Sequence, residues 1–168
     1  MERQLIISIG REFGSGGHVI AEKLAKRFQL PLYDNQMLEC GSEEDPESTA
    51  HRQFYRLKKM AEEGESFVIV GRCSEEILKG CRGMISIFIL GDYVCKLKRI
   101  MEKYELTEEQ ARQLLPREDS RRKSYHNNFT KGKWGDSRNY DLSINSSKLG
   151  IEKTVDLLEM YIKERASL

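Results

Sequence analysis

Apolar and polar positions along the chain fall into two alternating patterns. Leu5-Ile6-Ile7-Ser8-Ile9 is a short β-rich run with almost no polar alternation, as a parallel strand buried on both faces requires. A glycine-dense stretch, Gly10 to Gly17, follows it. Val19, Ile20, Leu24 and Phe28 then recur at helical spacing, with Ala21 and Ala25 beside them. Pro31 to Asp34 predicts a short second strand, residues 53–63 a helix, and Phe67 to Val70 a third strand. Residues 74–79 predict a short helix and Met84 to Leu90 a fourth strand. Asp92 is placed to cap a helix ending near Tyr104. Thr107, with Gln110 three residues on, forms a capping box for a helix running into the early 120s. Residues 141–145 predict a fifth strand and residues 151–163 a last amphipathic helix. Strands alternating with helices, without internal repeats, predict an α/β fold around a parallel sheet.

The chain has 168 residues, which predicts one domain spanning 1–168. Lys and Arg number 28 against 27 Asp and Glu, so no global charge favours nucleic acid as a partner. The longest apolar runs fall far short of the roughly 20 residues that a membrane helix needs. The opening MERQLIISIG has neither the long apolar stretch nor the cleavage site of a signal peptide, and a cytoplasmic location is expected. Cys40, Cys73, Cys81 and Cys95 form no CxxC pair and no zinc-ligand spacing, so they are expected to be reduced and mostly buried. Charge is uneven along the chain. Residues 34–65 hold nine acids and four bases, net −5, and residues 117–138 hold seven bases and three acids, net +4.

The strand–glycine–helix order at Gly10-Arg11-Glu12-Phe13-Gly14-Ser15-Gly16-Gly17 is the context of a phosphate-binding loop. Backbone N–H groups can curl round an anion there, and the helix N-terminus adds partial positive charge. A tight turn that uses glycine only for positive φ fits the same pattern. Against GxxxxGK[ST], Arg11 falls on the first glycine, Gly17 on the lysine and His18 on the hydroxyl residue. Arg11 is the basic residue that the loop itself offers, and a guanidinium binds phosphate bidentately.

The stretch ISIGREFGSGGHVIAEKLAKRFQLPLYD resembles the opening of the cytidylate kinase-like family, a branch of the P-loop nucleoside monophosphate kinases. Phe67 to Cys73 resembles that family's third strand, which ends in GRC. Lys131 to Asp136, Asn139 to Leu142, Asn145 to Ser147 and Leu149 to Glu152 resemble its C-terminal third. The resemblance implies a doubly wound sheet of five parallel strands, order 2-3-1-4-5, flanked by helices and carrying a basic helical lid over residues 117–138. It implies ATP-dependent phosphoryl transfer to a small acceptor, CMP or dCMP first, with Mg²⁺ carried mainly by the nucleotide.

By position, the resemblance implies that Gly14, Ser15, Gly16, Gly17 and His18 hold the donor phosphates and that Arg11 supplies the cation. Arg117, Arg121 and Arg122 match lid arginines, and Asp34 and Arg72 match the acceptor side. Each has a plainer rival: Arg72 as a solvated strand end, Asp34 as a turn residue, the lid arginines as a solvated helix face. Trp134 reads as a packing anchor, and His18, His51 and His126 carry no expected catalytic role. The chain departs from the pattern at Gly17, His18 and Cys73, and its acceptor region, 35–66, is short. A kinase for another small phosphate acceptor, or a nucleotide-binding protein without turnover, fits these departures.

Overall fold

The computed structural model describes residues 3–34, 45–71 and 73–167. Among these, five strands, β1 (Ile6–Arg11), β2 (Leu32–Asp34), β3 (Phe67–Val70), β4 (Met84–Leu90) and β5 (Leu142–Asn145), form one parallel sheet in the order β2-β3-β1-β4-β5. This is the expected order, with β1 central. Ile6 pairs with Phe67 on one side and Met84 on the other.

Both faces of the central strands are covered, which explains their near-continuous apolar runs. On one face Ile7, Ile9, Val68, Val70, Ile85, Ile87 and Ile89 meet helices α1 (Gly17–Phe28) and α6 (Ser146–Ser167). The helices present Ile20, Leu24, Val155, Leu158 and Ile162 to that core. Each such side chain contributes about 1.5–3 kcal/mol by leaving water. Arg27 of α1 bonds Asp156 at 2.7 Å and Glu159 at 2.6 Å on α6, clamping the pair at the surface.

The other face is mixed. Ile6, Phe67 and Ile69 pack with Leu57, Met60 and Ala61 of α2 (Pro46–Glu62). Beyond them Ser8 bonds Ser74 of α3 (Ser74–Ile77) at 2.7 Å. Phe88 packs against Tyr140 in a tilted pair and edge-to-face with Trp134, at 5.0 and 5.6 Å between ring centroids. Trp134 is thus a packing anchor, as expected.

Four helices differ in extent from the sequence expectation, α3 only by ending two residues early, at Ile77. α2 begins at Pro46, a residue suited to the first helical position, seven residues before the predicted start. α4 spans Tyr93–Tyr104, and Asp92 is its N-cap residue. The Asp92 carboxylate instead accepts from Asn145 and Lys148, and the bond to Lys148, then that to Asn145, holds its pKa below the ordinary value. α5 (Glu108–Phe129) has the Thr107–Gln110 capping box but runs past the early 120s and through Pro116. Pro116 is exposed. α6 takes in a first turn before Gly150, whose φ of 77° kinks it ahead of the predicted start. Cys73 is buried, whereas Cys81 and Cys95 are half-buried rather than hidden. Cys40 lies outside the described residues.

Candidate active site

β1 delivers the glycine loop to the carboxyl edge of the sheet, between the exits of β3 and β4. Open α/β sheets bind ligands at such an edge. Two glycines have left-handed backbones, Gly14 at φ 77° and Gly16 at φ 79°. A Cβ on Gly14 would also stand 2.9 Å from the Lys96 carbonyl, so packing and dihedral exclude side chains there together.

The loop is held by its carbonyl groups. The Arg11 carbonyl accepts from Arg122 at 3.3 Å, and the Glu12 carbonyl from the Ser15 hydroxyl at 2.7 Å. The Gly14 carbonyl accepts from Arg99 at 3.3 Å and the Ser15 carbonyl from the Ser146 hydroxyl at 2.5 Å. Gly16 accepts the first α1 bond from Ile20. The amides divide: Ser15 donates back to Glu12 and Gly17 to the Ser15 hydroxyl. Among the described residues, the amides of Gly14, Gly16 and His18 make no such return bond. A loop with its acceptors committed inward and several donors uncommitted is the electrostatic form of an anion nest.

Arg11 and Gly17 fit one another. A Cβ at position 17 would fall 2.7 Å from Arg11 Cγ, so the arginine stem runs through the space that a residue-17 side chain would fill. A side chain at 17 and the stem of residue 11 therefore exclude one another as placed, a coupling that neither residue shows in sequence. The Ser15 hydroxyl is fully buried and spent on two internal bonds, so it does not suit a metal ligand. His18, in the usual hydroxyl position, is half-exposed and lies 3.2 Å from Glu22. Among the described residues no group of three or more His, Cys, Asp or Glu could hold a metal ion.

Phe13 anchors the loop from below. It is buried among Leu97, Ile100, Ala111 and Leu115, and stacks on Tyr104 at 5.8 Å. Its amide donates to Asp119 of α5 at 2.8 Å. Lys96 of α4, 7% exposed, reaches Glu12 at 2.9 Å and Asp119 at 3.2 Å. Burial alone would lower the Lys96 pKa; the bond to Glu12 and the nearby Asp119 charge outweigh it and raise the pKa. Gly91 adds an amide bond to Glu12.

The three candidate arginines of α5 part company. Arg122 lies over the Phe13 ring, 5.3 Å from its centroid, and donates to the Arg11 carbonyl. Arg117 and Arg121 are exposed, Arg121 lying 3.3 Å from Glu118. Asp34 is half-buried at the end of β2, in register with Val70 at the end of β3. Arg72 lies outside the described residues, as do residues 35–44 of the acceptor region.

Sequence reasoning missed Lys96, Arg99, Asp119 and Ser146. The signal for Lys96 was present: it shares a helical face with Leu97 and Ile100, and a charge on an apolar face calls for a buried partner. His126 was also passed over. It is buried against Glu75, which Tyr140 approaches at 3.4 Å. Burial, then the Glu75 charge, pushes the Tyr140 hydroxyl well above its ordinary pKa.

Comparison with known proteins agrees with this geometry. The model of the cytidylate kinase-like family matches residues 6–45 and 38–148. A crystal structure of an uncharacterized protein from Eubacterium ventriosum ATCC 27560 is 47% identical, covering 95% of this chain and 99% of that one, with a TM-score of 0.90. Shikimate kinase from Acinetobacter baumannii, in complex with shikimate, superposes over 98% of this chain and 96% of its own, with a TM-score of 0.64 and 15% identity. A gluconokinase from Sinorhizobium meliloti 1021 superposes over 99% and 96%, with a TM-score of 0.60 and 12% identity. These last two share the fold. No curated protein matches. With its matched span covering most of the chain, and its sheet in the order of the P-loop kinases, the protein belongs to the cytidylate kinase-like family.

Proposed function

We propose that this chain transfers the terminal phosphoryl group of ATP to a small acceptor in the cytoplasm, with a nucleoside monophosphate, CMP or dCMP, as the leading acceptor. The observation that carries the reading is the loop after β1, whose carbonyl groups are committed inward while Arg11 crosses Gly17. In this reading the amides of Gly14, Gly16 and His18 face the donor phosphates, Ser15 and Gly17 shape the turn, and Arg11 replaces the missing lysine. Arg117 and Arg121 supply charge to the transferring group, and Asp34 and Arg72 hold the acceptor. Phosphoryl transfer depends mostly on positioning and charge neutralisation, so arginines placed around the in-line path carry most of the catalysis.

Magnesium belongs to the nucleotide in this account. The buried Ser15 hydroxyl does not suit it, and Mg²⁺ binds readily through phosphate oxygens and water. A coupled assay of ADP release across nucleoside monophosphates tests the reading. Turnover with one of them, lost in excess chelator, is the expected result. ATP binding without turnover on any acceptor would favour a nucleotide-binding protein, a reading supported by the missing lysine and hydroxyl residue.

A further inference from the structure

Bonds between α5 and the loop bear on whether the helix swings as a lid. The Phe13 amide donates to one oxygen of Asp119 while Lys96 donates to the other, and Lys96 also donates to the carboxylate of Glu12, the residue before Phe13. The lysine stem is buried, so its ammonium meets little competing water. Arg122, one turn along α5 from Asp119, meets the loop on either side of Glu12, through the Arg11 carbonyl and the Phe13 ring. Three elements, α4, α5 and the loop, therefore converge on one ammonium group. Without it, Glu12 and Asp119 would present two half-buried carboxylates to each other at the mouth of an anion site.

We infer that Lys96 is a positioning residue that fixes α5 against the phosphate loop before any nucleotide arrives, so that the middle of α5 is a standing wall of the donor site rather than a hinged lid. The consequence for ATP rests on the phosphoryl-transfer reading, but the docking itself does not. Lys96 acts through Glu12 and Asp119. It sets the attitude of the Phe13 segment, and so the direction of the neighbouring amides that the donor phosphates would meet.

Hydrogen exchange at the Phe13 amide, followed without nucleotide and then with Mg-ADP, tests this in the full chain. The expected result is strong protection in the apo protein, changed less than threefold by Mg-ADP. K96M should speed exchange at least tenfold and K96R should restore it to within threefold of wild type. Mg-ADP affinity measured by calorimetry should fall about tenfold in K96M and recover in K96R. If K96M does not fold, the pair E12Q with K96M removes one carboxylate along with the ammonium and takes its place in both measurements. A Phe13 amide that exchanges freely in the apo protein and slows only with nucleotide would overturn the inference, as would exchange indifferent to Lys96. Failure of wild type to bind Mg-ADP would count against the phosphoryl-transfer reading alone, since the apo exchange data would still decide the docking.

Discussion

Along α5, Asp119, Arg122 and His126 turn inward, onto Phe13, the Arg11 carbonyl and Glu75, whereas Arg117, Arg121 and Lys123 remain at the surface. In sequence the arginines look equivalent, spaced for one lid. In the fold Arg122 is bound to the loop backbone, while Arg117 and Arg121 are exposed, Arg121 beside Glu118. The difference separates an inward side that holds the loop from an outward side open to solvent, where the proposed function places the charge for the transferring group.

Substitutions on the two sides should therefore part rate from stability. R117A and R121A should each slow turnover by about three orders of magnitude, the scale of a cation lost from a phosphoryl-transfer transition state. Their cost in stability should stay within about 1 kcal/mol, as for exposed charges generally. Steady-state rates and thermal melts on the same preparations check this, and parallel losses in both would make the outward side structural too. R72A sharpens the contrast with the acceptor end: it should weaken CMP binding by about 2 kcal/mol or more, roughly thirtyfold, and leave ATP binding intact in calorimetry.

R122A should behave in the opposite way to R121A. It removes a charged hydrogen bond and a cation–π contact, each of about 1–2 kcal/mol. Denaturant midpoints should fall clearly. Turnover per folded molecule should fall far less than in R121A, and the reverse ranking would exchange the two roles.

How much of this was legible in sequence follows the same line. The buried parallel strands announced themselves as continuous apolar runs, while the sheet order came with the family resemblance. The capping box fixed the start of α5, and the glycines of the loop marked its left-handed turns. The far half of α5 had no apolar periodicity to show, because Asp119, Arg122 and His126 hold it by polar contacts to residues 51 to 111 positions away. Such partners are invisible until the chain is folded. The Arg11–Gly17 packing was half legible: the missing lysine was plain, but only folding puts the arginine stem across residue 17. The early start of α6 was hidden by Gly150, whose kink separates one turn of helix from the rest.

The smallest expected effect lies beyond α5 on the exposed side. Arg138, by side-chain and then backbone bonds, lowers the Asp136 pKa to about 2 from an ordinary 3.8. A lowered folded-state pKa stabilises above the unfolded value and is lost as pH falls through the folded one. D136N should thus be slightly less stable than wild type at neutral pH, and the gap should close as pH drops from about 3.8 to about 2. Thermal melts over that range check it, and a constant gap would mean that Asp136 acts by capping Arg138's turn rather than by its charge.

Calorimetric titration of Mg-ATP into wild type, R11A, G17K and the double variant R11G/G17K tests the central claim, that arginine at 11 stands in for lysine at 17. Wild type should bind at submillimolar concentration and R11A roughly thirtyfold more weakly. G17K alone should fail, because its Cβ meets the arginine stem, and the double variant should bind again by the other arrangement. Binding in R11A equal to wild type, or no binding by wild type at millimolar ATP, would contradict the account.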